Sequence, residues 1–263
     1  MPIDDRLVLA GTAANELFET ILARMEMDDT TQTRAAGMLV ASIAEMANAA
    51  MLLMGTPLQS HAPVLLRSML EALVDLKCLL ADDGYLDQLE FNDALQLVRV
   101  FRDFAESPGF MESEERRQQL AEMRTQTEAR YEALRSGHAE VSTRDLFARA
   151  GMPADYVAYR TYCSWTHNKL FALRGRHGAH GTVRTGQPMP DDMQRSVITN
   201  SVSIYARAMQ TVPEFTTNVT AEEVREVIGA VDEVITQALP PGWGRDRWVS
   251  RAVPQRSTCD TLG

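Results

Sequence analysis

The chain has 263 residues, 45% hydrophobic and 24% charged, which is ample for a sizeable core. A net charge of −10 excludes a general nucleic-acid-attracting field over the whole surface, although a local basic pocket is compatible with it. Aromatic residues make up only 6% while Met (14 residues) and Ala are plentiful, a composition that suits packed helices better than sheets.

The predicted elements follow the gaps between prolines, because proline breaks helix interiors. The first helix is expected over 4–27, with Leu7, Leu17, Ile21 and Leu22 toward the core. The second, over 31–54, is apolar almost throughout. Its length nearly suits a bilayer, but Ser42, Glu45 and Asn48 favour a buried helix of a soluble protein over a membrane span. Glu45 should face a cation, with Arg67 and Arg160 as candidates. A turn at Gly55-Thr-Pro57 leads to a third helix over 60–82, capped by Ser60 with Pro63 in its first turn. A fourth helix over 84–106 ends before Pro108. A fifth, over 111–136, is highly charged with a thin apolar stripe, and reads as a surface helix or projecting hairpin. A short helix over 142–150 opens with the capping pattern Ser142-Thr-Arg-Asp145. The seventh helix is expected over 153–173, followed by a Gly- and His-rich loop to about Pro190. Two more helices are expected over 191–212 and 220–239, the last capped by Thr220 and Glu223.

These elements make an all-α, multi-helix bundle of eight to nine helices. Residues 1–240 form one helical domain in this reading, with 111–150 as a projecting helical insertion and 241–263 as a C-terminal tail. The N-terminus lacks the basic and apolar stretches of a secretion signal. Cys78, Cys163 and Cys259 have no metal-like spacing and read as reduced thiols, which places the protein in the cytoplasm.

Two polar rows stand out on apolar helices. Arg67, Glu71 and Asp75 recur every four residues and share one face of the third helix. The bland reading is an intrahelical Arg67–Glu71 pair that fixes packing; the functional one is a polar cleft. On the seventh helix, Tyr156, Arg160, Cys163, Ser164 and His167 lie along one face. There a titratable imidazole and a phosphate-binding guanidinium suit phosphodiester cleavage or anion binding. A hydrogen-bonded seam inside a bundle is the competing reading. The loop adds His177 and His180, which with His167 would be a weak metal set, since no His-Glu-x-x-His or carboxylate-rich pattern accompanies them. Neither a metal nor a cofactor is therefore expected. Arg174, Arg176 and Arg184 in the same loop form a local basic strip that would draw a phosphate-bearing ligand. No Gly-x-Gly-x-x-Gly, P-loop or Gly-x-Ser-x-Gly pattern is present.

The run Leu65-Leu-Arg67-Ser-Met-Leu-Glu71-Ala-Leu-Val-Asp-Leu resembles the Arg-Ser-x-x-Glu-Ala helix of an uncharacterised family of bacterial helical proteins. Tyr159-Arg-Thr-Tyr162-Cys-Ser164-Trp-Thr-His167 resembles a later helix of that family, and the likeness spans roughly residues 30–210. Arg160 and His167, with six residues between them, are also similar to the Arg-to-His signature of the HEPN (higher eukaryote and prokaryote nucleotide-binding) helical superfamily. Thr161 departs from it, since a polar Asn, Asp or His usually follows that Arg. The HEPN resemblance implies a metal-independent ribonuclease of toxin–antitoxin or phage-defence systems, acting as a homodimer on RNA. His167 would be the general acid/base and Arg160 would stabilise phosphorane-like charge. Ser164 and Tyr162 would orient groups, with Arg67 and Glu71 behind them. The alternatives are a non-catalytic helical module that binds a partner protein through the charged helix, and a metal-dependent hydrolase using His167, His177 and His180.

Overall fold

The computed structural model describes residues 5–106, 113–179 and 182–240. Ten α-helices run through them: α1 (Asp5–Leu22), α2 (Thr31–Met54), α3 (Ala62–Ala81), α4 (Tyr85–Ala105), α5 (Glu114–Leu134), α6 (Thr143–Arg149), α7 (Asp155–Thr166), α8 (Leu170–His177), α9 (Asp191–Met209) and α10 (Ala221–Ala238). Between α8 and α9, β1 (Gly178–Ala179) and β2 (Thr182–Val183) pair antiparallel, with Gly178 opposite Val183. The fold is all-α in every layer that contributes to the core.

Helices α2, α3 and α9 form the centre, with α1 and α10 packed on one flank and α7 and α6 on the other. Small residues make the central packing close. Ala36, Ala44, Ala47 and Ala50 are buried along α2, and Gly11 lets the Met51 side chain seat directly on the α1 backbone. Larger side chains fill the remaining space, including Phe18 stacked at a tilt on Tyr205 with ring centres 4.6 Å apart. Met suits such irregular gaps because it is unbranched and flexible. α2 is long and apolar enough to cross a membrane by length and composition, and 44% of its most apolar stretch is buried inside the fold.

Caps set many of the boundaries. Thr30 accepts from Thr33 N at the start of α2, and Ser142 accepts from Asp145 N at the start of α6. Thr220 and Glu223 form a reciprocal capping box at α10, as their spacing predicts. The start of α3 differs from expectation. A 3₁₀ turn over Gln59–His61 leads directly into the helix, so Ser60 is buried in that turn and His61 occupies the cap without a side-chain bond.

Of the stretch 111–150, α5 has no buried residue and lies along α4. It is held by Tyr131 stacked on Phe91 and by the Arg130–Glu90 ion pair. α6 returns to the core, where Phe147 is fully buried. The seventh predicted helix is two helices. α7 stops at Thr166, Asn168 takes a left-handed backbone with φ 49°, and α8 begins at Leu170. Residues 170–177, read from sequence as the end of one helix and the start of a loop, are thus a separate short helix. The tail from 241 onward and His180 lie outside the described residues.

Candidate functional site

The site forms where α3 and α7 cross. On α3 the Arg67 and Glu71 side chains meet one turn apart, with Nη2 of Arg67 2.7 Å from Oε1 of Glu71. Tyr159 of α7 completes the cluster. Its hydroxyl donates to Glu71 Oε1 at 2.9 Å and accepts from Arg67 Nη2 at 3.3 Å. The Arg67 guanidinium also stands over the Tyr159 ring at 5.5 Å. Burial works against the Arg67 charge, but hydrogen bonding with Cys163 and Tyr159 and the Glu71 carboxylate outweigh it, so its pKa is raised. Burial, with hydrogen bonds to Cys163 and Glu71, pushes the Tyr159 phenol up to about 12. The phenol is therefore a fixed donor at neutral pH, and the three side chains bond one another, while Nε of Arg67 is buried without a hydrogen-bond partner.

Asp75, the next member of the α3 row, goes elsewhere. Its carboxylate accepts from the Tyr85 hydroxyl of α4 at 2.8 Å. Burial raises its pKa to about 6, against the opposing effect of the Tyr85 bond.

The outer face of α7 carries Arg160, Ser164 and His167. Arg160 is exposed, and its pKa is raised by a hydrogen bond with Tyr156. Ser164 is half-buried and its hydroxyl reaches back to the Arg160 carbonyl at 3.5 Å. His167 caps the helix with an exposed side chain, and its backbone N–H bonds the Cys163 carbonyl. Cys163 sits one turn from both Tyr159 and His167, so the Arg67 cluster borders the outer face. Tyr162 turns away from both. It is buried, and its hydroxyl accepts from Asn200 of α9 at 2.9 Å. There it lines a narrow cleft with Asp155 and Arg207, whose side chains form a two-pronged ion pair at 3.0 and 3.1 Å. Glu45 is exposed on α2 and faces neither Arg67 nor Arg160 through an ion pair; Asn48 instead bonds Asn15 and Glu19.

The basic strip also rearranges. Arg174 and Arg184 are exposed, but Arg176 is only 4% exposed. Its guanidinium donates to the Trp165 carbonyl at 2.8 Å and to Asn168 Oδ1 at 3.0 Å, and it covers the Trp165 ring at 5.1 Å. Arg176 therefore holds the α7–α8 break. His177 donates from Nδ1 to the Arg184 carbonyl at 3.1 Å. Among the described residues no group of three His, Cys, Asp or Glu side chains is placed to hold a metal ion.

Sequence reasoning did not single out Tyr159 as the third member of the Arg67–Glu71 cluster, and no local pattern marks it. A legible signal for the outer face does exist: no Asp or Glu occurs between Asp155 and Asp191, in a chain of net charge −10.

Residues 33–183 match the model of a family of unknown function (DUF5677). The chain belongs to this family. The matched segment begins inside α2 and ends at β2, so it contains α3, α7 and the whole cluster between them. Comparison with curated proteins and with solved structures returned no match.

Proposed function

We propose that this DUF5677 protein is a metal-independent ribonuclease of HEPN-like design, acting in the cytoplasm as a homo-oligomer. The observation that carries this reading is the outer face of α7. Arg160 and His167 stand exposed there within a stretch that contains no carboxylate. The reaction is attack of a ribose 2′ oxygen on the adjacent phosphorus, with cleavage of the bond to the 5′ oxygen. His167 exchanges the proton with the entering or leaving oxygen, and Arg160 faces the charge that builds on the non-bridging oxygens. The Arg67–Glu71–Tyr159 cluster fixes α7 against α3 and so positions both residues.

The test is incubation of wild-type, His167→Ala and Arg160→Ala proteins with labelled total RNA, with and without EDTA. Both side chains are exposed, so the variants should fold. EDTA-resistant fragmentation that falls at least about a hundredfold in the His167 variant is expected. Cleavage untouched by either substitution rejects the assignment. Cleavage abolished by EDTA transfers it to a metal-dependent hydrolase. A second reading has its own support: α5 has no buried residue and offers a long charged face to a partner protein. Folded protein that leaves RNA intact would favour that binding module.

A further inference from the structure

The two sides of α8 differ sharply. Ala172 and Arg176, four residues apart, are buried, and the Arg176 fork ties the helix to the end of α7 through the Trp165 carbonyl and Asn168. The opposite side is thereby held outward, and it carries Leu170, Leu173 and Arg174, all exposed. Leu170 is 62% exposed, and Lys169, also exposed, precedes it. The chain turns back tightly at Gly178, where a Cβ would meet the Arg174 carbonyl oxygen. The Arg184 N–H then donates to the His177 carbonyl at 2.9 Å, and His177 Nδ1 donates to the Arg184 carbonyl at 3.1 Å. His177 lies one turn beyond Leu173 and Arg174, so these bonds bring Arg184 and its neighbour Val183 beside the outward side of α8. Val183 is 85% exposed.

Three aliphatic side chains thus stand open to water among the cations Lys169, Arg174 and Arg184. No carboxylate occurs from Tyr156 to Pro190 to neutralise those charges. A nucleic-acid strand accounts for the cations but gives the leucines and the valine no role, because bases stack on aromatic rings. A groove for a partner helix would shade its apolar side chains, whereas Leu170 and Val183 stand clear. We propose that this edge of the molecule docks on an anionic lipid surface. Leu170, Leu173 and Val183 enter the boundary between headgroups and acyl chains, while Lys169, Arg174 and Arg184 meet the anionic headgroups. Their long stems let the charges stay at headgroup level as the aliphatic groups sink. α8 has only eight residues, so attachment needs both contributions and is peripheral and reversible. This surface goes beyond the ribonuclease reading and does not depend on it.

The experiment is co-sedimentation of the full chain with vesicles of phosphatidylcholine and phosphatidylserine in about a 2:1 ratio, and with phosphatidylcholine alone. Wild-type protein is expected to sediment with the mixed vesicles only, and less so as salt rises. Arg174→Gln/Arg184→Gln is expected to weaken this binding about thirtyfold, since each cation near the surface is worth about a factor of five. Leu170→Ser/Val183→Ser is expected to weaken it about tenfold. All four side chains are exposed, so the variants should fold, and thermal melting checks that they do. Wild-type protein that stays in solution with both kinds of vesicle overturns the proposal, and so does a serine variant that sediments like the wild type. A 2′-methoxy oligoribonucleotide, which cannot be cut by 2′-oxygen attack, separates the two ligands. If Arg174→Gln/Arg184→Gln weakens its binding while mixed vesicles bind no protein, the basic strip serves RNA alone and the lipid surface is rejected. Vesicle binding through this edge by protein that leaves RNA intact upholds the lipid surface and removes the ribonuclease reading.

Discussion

Asp75 lies where α3 meets α4, and its ionisation is opposed from several sides. Burial disfavours the charge, and Glu71 on its own helix and Asp93 on α4 repel it. Tyr85 donates to it, and the Arg149 guanidinium of α6 covers the Tyr85 ring at 5.2 Å. The folded pKa, about 6, exceeds the unfolded value near 3.8, so the native state binds more protons than the unfolded state between these values. Stability from this group is full below the lower value and is lost as pH rises through the upper one. The loss is at most about 3 kcal/mol, since a tenfold change in proton affinity is worth about 1.4 kcal/mol. Asp75→Asn keeps an acceptor for Tyr85 and removes the charge. Denaturation followed from about pH 4 to pH 7 should show the wild type losing stability relative to this variant. Parallel curves would mean that Asp75 ionises without cost. At this scale the Arg67–Glu71 pair was legible, because contact four residues apart is local helix geometry. The closing of that pair by Tyr159 was not, because its partners lie 88 and 92 residues away.

Whole helices were readable wherever a cap and an apolar period agreed. α6 and α10 begin within a residue or two of their predicted starts because Ser142 and Thr220 mark them, and α2, predicted from its apolar run, begins at Thr31 with Thr30 as its cap. The α7–α8 break escaped because the pattern continues across it: Leu170, Ala172 and Leu173 look like further turns of the same helix. What ends α7 is Asn168, a residue type that tolerates the left-handed region, together with a tertiary clamp from Arg176. The two contributions can be separated. Asn168→Gly keeps the backbone conformation and loses the bond to Arg176, costing about 1 kcal/mol. Asn168→Ala loses the bond and also strains the backbone, costing about 2–3 kcal/mol. Urea denaturation of the two variants measures both. An alanine variant no less stable than the glycine one would show that the break does not depend on this backbone conformation. Because His167 directly precedes Asn168, the alanine variant should also displace the proposed acid/base and lower any cleavage.

Over the whole molecule the charges are segregated. The chain is strongly acidic, yet the span from Tyr156 to Pro190 is carboxylate-free and exposes Arg160, Lys169, Arg174 and Arg184. A strand bound there meets a few cations on an otherwise repelling surface, so association should depend on salt in a countable way. For single strands the slope of log K against log salt is about −0.7 per neutralised phosphate. Four cations on one chain thus set a limit of about −3. If two copies present their α7 faces to the same strand, the limit becomes about −6. Binding of the 2′-methoxy oligoribonucleotide to His167→Ala protein, measured over a range of salt, separates these cases. A slope near zero would remove the electrostatic basis for a nucleic-acid substrate. A slope between the two limits would place the strand across a paired face, which is how an acidic protein concentrates enough positive charge to hold RNA. Replacing Arg174 and Arg184 by Gln should then reduce the slope by about 3 in a paired face, and by about half that in a single one.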